Sequence, residues 1–175
     1  GLAARRAGVS LHAHAGGHAV FTDPRLLGSL LERLLDNAIK ASPGGARVLL
    51  AARRHGTQVR LEVRDGGVGI APIHQPRVFD EFFQVGNLER DHRKGFGLGL
   101  PIVSRLAALL GTRVELRSRL HAGTCFWLAL PRASAWALKA ARARSSAEAD
   151  RVAPGVEACR YRVEGHRDAA PARVG

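Results

Sequence analysis

The chain has 175 residues, is 46% apolar and carries a formal net charge of +12 at neutral pH. This length fits one domain plus an extension, and the apolar fraction is large enough for a buried core. Two cysteines, Cys125 and Cys159, are too few for a disulfide framework or a four-cysteine metal site. No apolar run approaches the ~18 residues of a membrane helix. We therefore expect a cytoplasmic chain without direct membrane contact, which could still be the cytoplasmic part of an anchored protein.

The positive charge raises the question of a polyanionic partner. The basic side chains are nearly all Arg, with only three Lys, and they are spread along the chain. This pattern is typical of a compositional bias, so no nucleic-acid partner is expected. A basic nucleic-acid binder remains an alternative, and steeply salt-dependent DNA binding would identify it.

The first half of the chain predicts strands on both sides of one long helix. Two short strands, 9–13 and 18–22, flank Gly16-Gly17 as a predicted hairpin. Asp23-Pro24 supplies an N-cap and a first-turn proline for a helix that ends near 42–45. Strands are predicted at 47–53 and 58–65, and the alternation in the second places Asp65 on its inward face.

The second half predicts two helical segments, a loop and two more strands. In chain order these are a short helical piece at 77–83, a mobile polar loop at 84–95, a helix at 98–110, and strands at 113–117 and 124–130. Three phenylalanines near the loop, Phe79, Phe82 and Phe83, are expected to pack and anchor it. We expect residues 1–131 to form one domain and 132–175, rich in Ala and Arg, to be a disordered tail.

Asn37 lies seven residues after Leu30, at the edge of the apolar stripe of the first helix. Taken alone, it is most simply a solvated residue at a stripe boundary. An amide oxygen can also complete the octahedral shell of Mg²⁺ beside phosphate oxygens. Lys40, one turn later, could then offset phosphate charge.

Two glycine-rich strings follow. Asp65 precedes Gly66, Gly67 and Gly69, and an inward carboxylate there could accept from a purine amine, although a plain Asp-Gly turn fits equally well. The second string, 95–100, opens a helix whose amides could seat phosphate. It matches neither a Walker A loop nor a Rossmann fingerprint, so alone it is a weak signal.

In order and spacing, the strings at 34–40, 65–70, 77–83 and 95–100 resemble the N, G1, F and G2 boxes of sensor histidine kinases. These boxes belong to the catalytic ATP-binding domain, in the superfamily that includes gyrase and MutL. The resemblance covers roughly residues 9–131, and residues 81–95 look like a bacterial subgroup found in hybrid kinases. Four ordered boxes are far more specific than any one of them.

The resemblance implies an α/β fold: a two-layer α/β sandwich (Bergerat fold) with a mixed β-sheet and helices on one face, binding ATP and Mg²⁺. Asn37 would coordinate Mg²⁺, Lys40 would contact phosphate, and Asp65 would accept from the adenine amine. The residues assigned to catalysis are Asn37, Lys40 and Lys94. Those assigned to the nucleotide are Asn37, Lys40, Asp65, Gly67, Gly69, Ile70, Arg93, Lys94, Gly95, Gly97, Leu98, Gly99 and Leu100.

The chain departs from the family in three places. Arg33 stands where hydrolysing members have a general-base Glu, so efficient ATP hydrolysis is not expected. Phe96 replaces the commoner Thr of the G2 box. None of the eight His precedes Asp or Glu, so the phosphoacceptor must lie elsewhere.

The sequence therefore predicts a kinase catalytic domain that donates the γ-phosphoryl of ATP to a histidine on a dimerisation domain, with a response regulator as indirect partner. Two alternatives share the fold: a nucleotide-binding regulatory module without phosphotransfer, and a serine kinase of the anti-sigma type.

Overall fold

The computed structural model describes residue 4 and the ranges 6–84 and 97–133. Two helices, α1 (Pro24–Ala41) and α2 (Gly99–Leu109), pack against each other, and α1 also packs on the sheet. The sheet has five strands in the order β1-β2-β3-β5-β4. They are β1 (Ser10–Ala15), β2 (Arg47–His55), β3 (Gln58–Asp65), β4 (Glu115–Ser118) and β5 (Thr124–Pro131). The predicted two-layer α/β sandwich is confirmed.

The sheet is mixed because β1 pairs parallel with β2, whereas the other neighbouring strands are antiparallel. Parallel neighbours need a crossover, and α1 provides it. The predicted hairpin between 9–13 and 18–22 is therefore wrong. Instead of pairing with β1, Val20 forms a single antiparallel bridge with Arg132. Local turn chemistry at Gly16-Gly17 could not reveal that β1 has a partner beyond the helix.

Helix α1 begins and ends where its sequence signals predict. The carboxylate of Asp23 accepts from the amides of Arg25 and Leu26 at 2.8 and 3.0 Å, which satisfies two free donors of the first turn. Ser42 ends the helix in an extended conformation. The buried face of α1 consists of Leu27, Leu30, Leu31, Leu34 and Ala38. This stripe packs on the inward face of the sheet, whose most buried members include Val48, Val59, Val63, Phe126, Leu128 and Leu130.

The predicted helical piece at 77–83 is displaced. A 3-10 helix occupies Pro72–Arg77 instead, and residues 78–82 form turns. A proline inside the segment, Pro76, removes one amide donor, which disfavours a continuous α-helix. Phe79 packs edge-on against Phe126 as expected. Phe82 does not pack, because its side chain is 71% exposed and its φ is +62°.

The sheet face opposite the helices carries a charged cluster around one buried carboxylate. The side chain of Glu62 is only 3% exposed, with Arg53 at 3.9 Å and Arg64 at 2.6 Å from its Oε2 atom. Arg60 Nε lies 3.1 Å from Oε1, an ion pair without hydrogen-bond geometry, and its guanidinium stacks 4.2 Å above the ring of Trp127. Alternation predicted an outward Glu62, and arginines on neighbouring positions cover it.

Backbone contacts continue past the end of β5. The amide of Arg132 donates to the carbonyl of Thr57 at 3.0 Å, and that of Ala133 donates to the carbonyl of Ala19 at 2.9 Å. The remainder of the expected tail, residues 134–175, lies outside the described residues. Among the helices that are described, none combines the length and the apolar character needed to cross a bilayer.

Candidate functional site

Asp65 ends β3 as a buried carboxylate with one oxygen already engaged. Oδ1 accepts hydrogen bonds from the amides of Gly67 at 2.9 Å and Thr124 at 3.1 Å. Within the described part of the chain, Oδ2 has no hydrogen-bond partner, and it is not fully enclosed. Burial raises the pKa of the Asp65 carboxyl, and the two backbone hydrogen bonds oppose that rise. The free oxygen can therefore accept a hydrogen bond from a ligand.

At two positions after Asp65, Gly67 and Gly69, the backbone lies too close to its neighbours to carry a side chain. A Cβ at Gly67 would lie 2.3 Å from the carbonyl oxygen of Ala41, at the end of α1. At Gly69, where φ is +69°, a Cβ would lie 2.0 Å from the carbonyl oxygen of Arg119. The backbone of Val68 forms a hydrogen bond on each side of the segment. Its amide donates to the carbonyl of Ala41 at 3.4 Å, and its carbonyl accepts from the amide of His121 at 2.7 Å. The segment is thus held between α1 and the β4–β5 turn.

Two side chains that the sequence analysis did not single out, those of Ser118 and Gln75, bind this segment. The amide of Ile70 donates to Ser118 Oγ at 2.8 Å, and the amide group of Gln75 donates to the Ile70 carbonyl at 2.9 Å. Ser118 Oγ also lies 2.8 Å from Thr124 Oγ1. No local pattern marks these residues, because Ser118 is 48 positions from Ile70. The register of β4 with β5 places Ser118 opposite Thr124.

Asn37 and Lys40 lie on α1 within one turn of Ala41, and therefore beside the Gly67 contact. Asn37 is half-buried and Lys40 is exposed. In the described ranges, neither side chain forms a hydrogen bond or ion pair. The free amide oxygen of Asn37 fits the hard oxygen donors that Mg²⁺ prefers. Arg33, one turn earlier, is exposed.

The described part of the second glycine string, residues 97–100, leads into α2 and lies beside the backbone of Phe82. At Gly97, φ is +68° and a Cβ would lie 3.0 Å from the Phe82 carbonyl carbon. Leu98 is the N-cap residue of α2, Gly99 is its first residue, and Leu100 packs against the core. Apart from its chain neighbours and the backbone of α2, no described atom lies within 4 Å of a Cβ built on Gly99.

The predicted contacts of Arg93, Lys94 and Gly95, and the Phe96 departure, lie outside the described residues, as does most of the predicted polar loop. Among the described residues, no group of three or more His, Cys, Asp and Glu side chains could hold a metal ion.

Over residues 22–134 the chain matches the family of histidine kinase-, DNA gyrase B- and HSP90-like ATPases, and it belongs to this family. Within this family, the curated relatives described next are sensor proteins, one of them named as a sensor-like histidine kinase. The sensor-like histidine kinase SenX3 of Mycobacterium tuberculosis is 40% identical over 112 residues, which cover 64% of this chain and 27% of SenX3. The sensor protein TorS of Escherichia coli is 38% identical over 113 residues, 65% of this chain and 12% of TorS. The chain thus spans about a quarter or less of these relatives.

Solved structures agree with the sequence relatives. The mycobacterial sensor histidine kinase MprB superposes with a TM-score of 0.63 at 28% identity, covering 74% of this chain and 86% of that one. Full-length ShkA in complex with AMPPNP superposes with a TM-score of 0.64 at 32% identity, covering 77% of this chain and 28% of ShkA. The predicted class, an ATP-binding catalytic domain of the histidine-kinase type, is confirmed.

Proposed function

We propose that this domain binds ATP with Mg²⁺ and donates the γ-phosphoryl group to a histidine on a dimerisation domain outside this chain. One observation carries the nucleotide part of the proposal. Asp65 presents one free carboxylate oxygen at the end of β3, and the glycine segment beside it lies against the end of the helix that carries Asn37 and Lys40. The exocyclic amine of a bound purine can donate a hydrogen bond to that oxygen, and the phosphates of the same nucleotide would then lie toward α1.

The roles follow from the chemistry of each group. Asp65 would accept from the exocyclic amine, and Gly67 and Gly69 would let the base approach the backbone. Asn37 would hold Mg²⁺, which supplies charge neutralisation at the phosphates when bound. Lys40 would add a positive charge there. Catalysis would then rest on positioning and electrostatics, which is how proteins accelerate phosphoryl transfer in general.

Residues of the second glycine string would complete the site. Gly97, Leu98, Gly99 and Leu100 would form the phosphate end, because no described side chain caps the start of α2 or approaches Gly99, and a helix N-terminus suits an anion. From the resemblance, we assign Arg93, Lys94 and Gly95 to the γ-phosphate end as well, with Lys94 as the catalytic cation. The AMPPNP complex of ShkA supports a nucleotide in this fold.

The experiment mixes the purified chain with a dimerisation domain that carries an acceptor histidine, in the presence of γ-labelled ATP and Mg²⁺. Label on the acceptor that is stable in base and lost in acid supports the proposal. Nucleotide binding without label would favour the regulatory module, for which the exposed Arg33 at the usual base position gives a specific motive. Acid-stable label on a hydroxyl would instead identify a serine kinase.

A further inference from the structure

The Ser118 hydroxyl uses its full hydrogen-bonding capacity on three partners, which lie in the loop after β3, in the β4–β5 turn and at the start of β5. Its Oγ atom accepts from the amide of Ile70 at 2.8 Å and donates to the carbonyl of Gly123 at 3.0 Å. Thr124 Oγ1 lies 2.8 Å away. A hydroxyl has one proton and two lone pairs, so Thr124 is the donor in the third contact.

Gln75 closes the same network from the 3-10 helix. Its amide nitrogen donates to the carbonyl of Ile70 at 2.9 Å and to the carbonyl of Ser118 at 3.1 Å, so both amide protons are used. Both polar groups of Ile70 are thereby held by side chains, its N–H by Ser118 and its C=O by Gln75. This fixes the far end of the 65–70 segment.

The near end of that segment is held through Thr124. Its hydroxyl meets Ser118 while its amide donates to Asp65 Oδ1 at 3.1 Å. Ser118 is therefore connected to the segment at both ends, to Ile70 directly and to Asp65 through one residue. Between these ends lie Gly67 and Gly69, which have no side chains to hold them.

We propose that Ser118 and Gln75 are positioning residues for purine recognition. They hold the 65–70 segment in the shape that presents Asp65 Oδ2, so base affinity depends on them although the ligand need not touch either side chain. The inference rests on the proposed function, because it assumes that a purine binds at Asp65. Loss of a hydrogen bond within the network changes affinity by letting the segment leave its binding geometry.

The test measures Mg·ADP and Mg·GDP binding by calorimetry for the wild-type chain and for variants. Ser118→Ala removes the hydroxyl, Ser118→Thr keeps it, and Gln75→Glu removes both amide donors without changing size. Thr112→Val is the matched control, because Thr112 Oγ1 donates to the carbonyl of Ala129 at 2.8 Å, a similar half-buried bond outside the network. Melting temperatures are recorded for every variant.

We expect ADP binding about tenfold weaker for Ser118→Ala and Gln75→Glu, the equivalent of roughly 1.4 kcal/mol. The preference for ADP over GDP falls with it, and Ser118→Thr restores both. Thr112→Val lowers the melting temperature without changing affinity. The inference is overturned if Ser118→Ala and Gln75→Glu bind ADP like the wild type, or if Thr112→Val weakens binding equally. If the wild-type chain itself binds no ADP, the proposed function fails first.

Discussion

The backbone amide of Thr124 donates a hydrogen bond to the Oδ1 atom of Asp65, at 3.1 Å and across 59 positions of sequence. The start of β5 thereby fixes the rotamer of a carboxylate at the end of the neighbouring strand β3. Gly67 donates to the same oxygen, and Oδ2 has no hydrogen-bond partner among the described residues. This division between the two oxygens makes Asp65 the sharpest single test of the site.

Asp65→Asn is expected to weaken ATP binding at least about tenfold while the fold is kept. The amide oxygen can still accept from Gly67 and Thr124, but an NH₂ group replaces Oδ2 and opposes the purine amine. Calorimetry with Mg·ATP measures the change. Asp80→Asn, which neutralises an exposed carboxylate paired with Arg77, is the control. Equal affinity in the Asp65 variant would remove this residue from the site.

The same residue gives a pH signature in the absence of ligand. Burial raises the pKa of Asp65 in the folded chain above the ordinary value of 3.8. As pH rises from that value through the raised pKa, the folded state holds more protons than the unfolded state, so the stability that Asp65 contributes is progressively lost. Urea unfolding across this interval should therefore show Asp65→Asn gaining stability over the wild type with rising pH. A constant difference would contradict the burial effect.

Asn37→Ala is expected to separate ligand binding from stability. The Asn37 side chain has no partner in the described part of the chain, and alanine favours helices, so stability should stay equal or rise by about 0.5 kcal/mol. Affinity for ATP should fall more than about tenfold with Mg²⁺ present and change little with EDTA. Asp36→Ala, at an exposed neighbouring position, is the control. A loss that persists in EDTA would argue against a metal role.

Gly69→Ala tests the close approach of the 65–70 segment to the carbonyl oxygen of Arg119. Both Gly69 and Gly17 have positive φ, +69° and +64°, but only Gly69 has an atom, the Arg119 carbonyl oxygen, in the way of a Cβ. Gly17→Ala should cost about 1–2 kcal/mol of unfolding free energy from backbone conformation alone. Gly69→Ala should cost more and also abolish nucleotide binding. Chemical denaturation and calorimetry distinguish the two, and equal costs would mean that the Arg119 contact relaxes freely.

Glu62→Gln tests the charged cluster on the open sheet face. Removing the buried carboxylate leaves three arginines without their shared partner, and because these are a third or more exposed we expect only about 1–2 kcal/mol of lost stability. Glu115→Gln, in an exposed pair with Arg113, should change the unfolding free energy by less than about 0.5 kcal/mol. The Glu62 variant should also become more stable as salt rises, because screening weakens arginine repulsion. No salt effect would show that the arginines do not interact.

Features encoded by neighbouring residues could be predicted from the sequence. The start of α1 at Asp23-Pro24 is one, since cap and proline act within a single turn. The inward parity of Asp65 is another, because alternation along β3 fixes it. The four ordered boxes led to the family, and the family match confirms it.

What could not be predicted depends on pairing between distant segments. The parallel pairing of β1 with β2 needs the whole of α1 between them, and no local pattern at residues 9–22 signals it. The contact of Ser118 with Ile70 joins β4 to the loop after β3 across 48 positions of sequence. The burial of Glu62 depends only in part on distant pairing: Arg60 and Arg64 share its face of β3, whereas Arg53 of β2 and Trp127 of β5 reach it across neighbouring strands.

The β4–β5 turn packs closely against the end of β3, and this packing limits where the chain accepts an insertion. Surface hairpins usually accept inserted tags or fluorophores. At Gly123 a Cβ would lie 2.0 Å from the carbonyl oxygen of Asp65, whereas Gly56, between β2 and β3, has no atom within 4 Å of a Cβ. Reporter labels should therefore be inserted in the β2–β3 turn beside Gly56, without replacing this glycine because its φ is +59°, whereas a graft near Gly123 would push directly on Asp65.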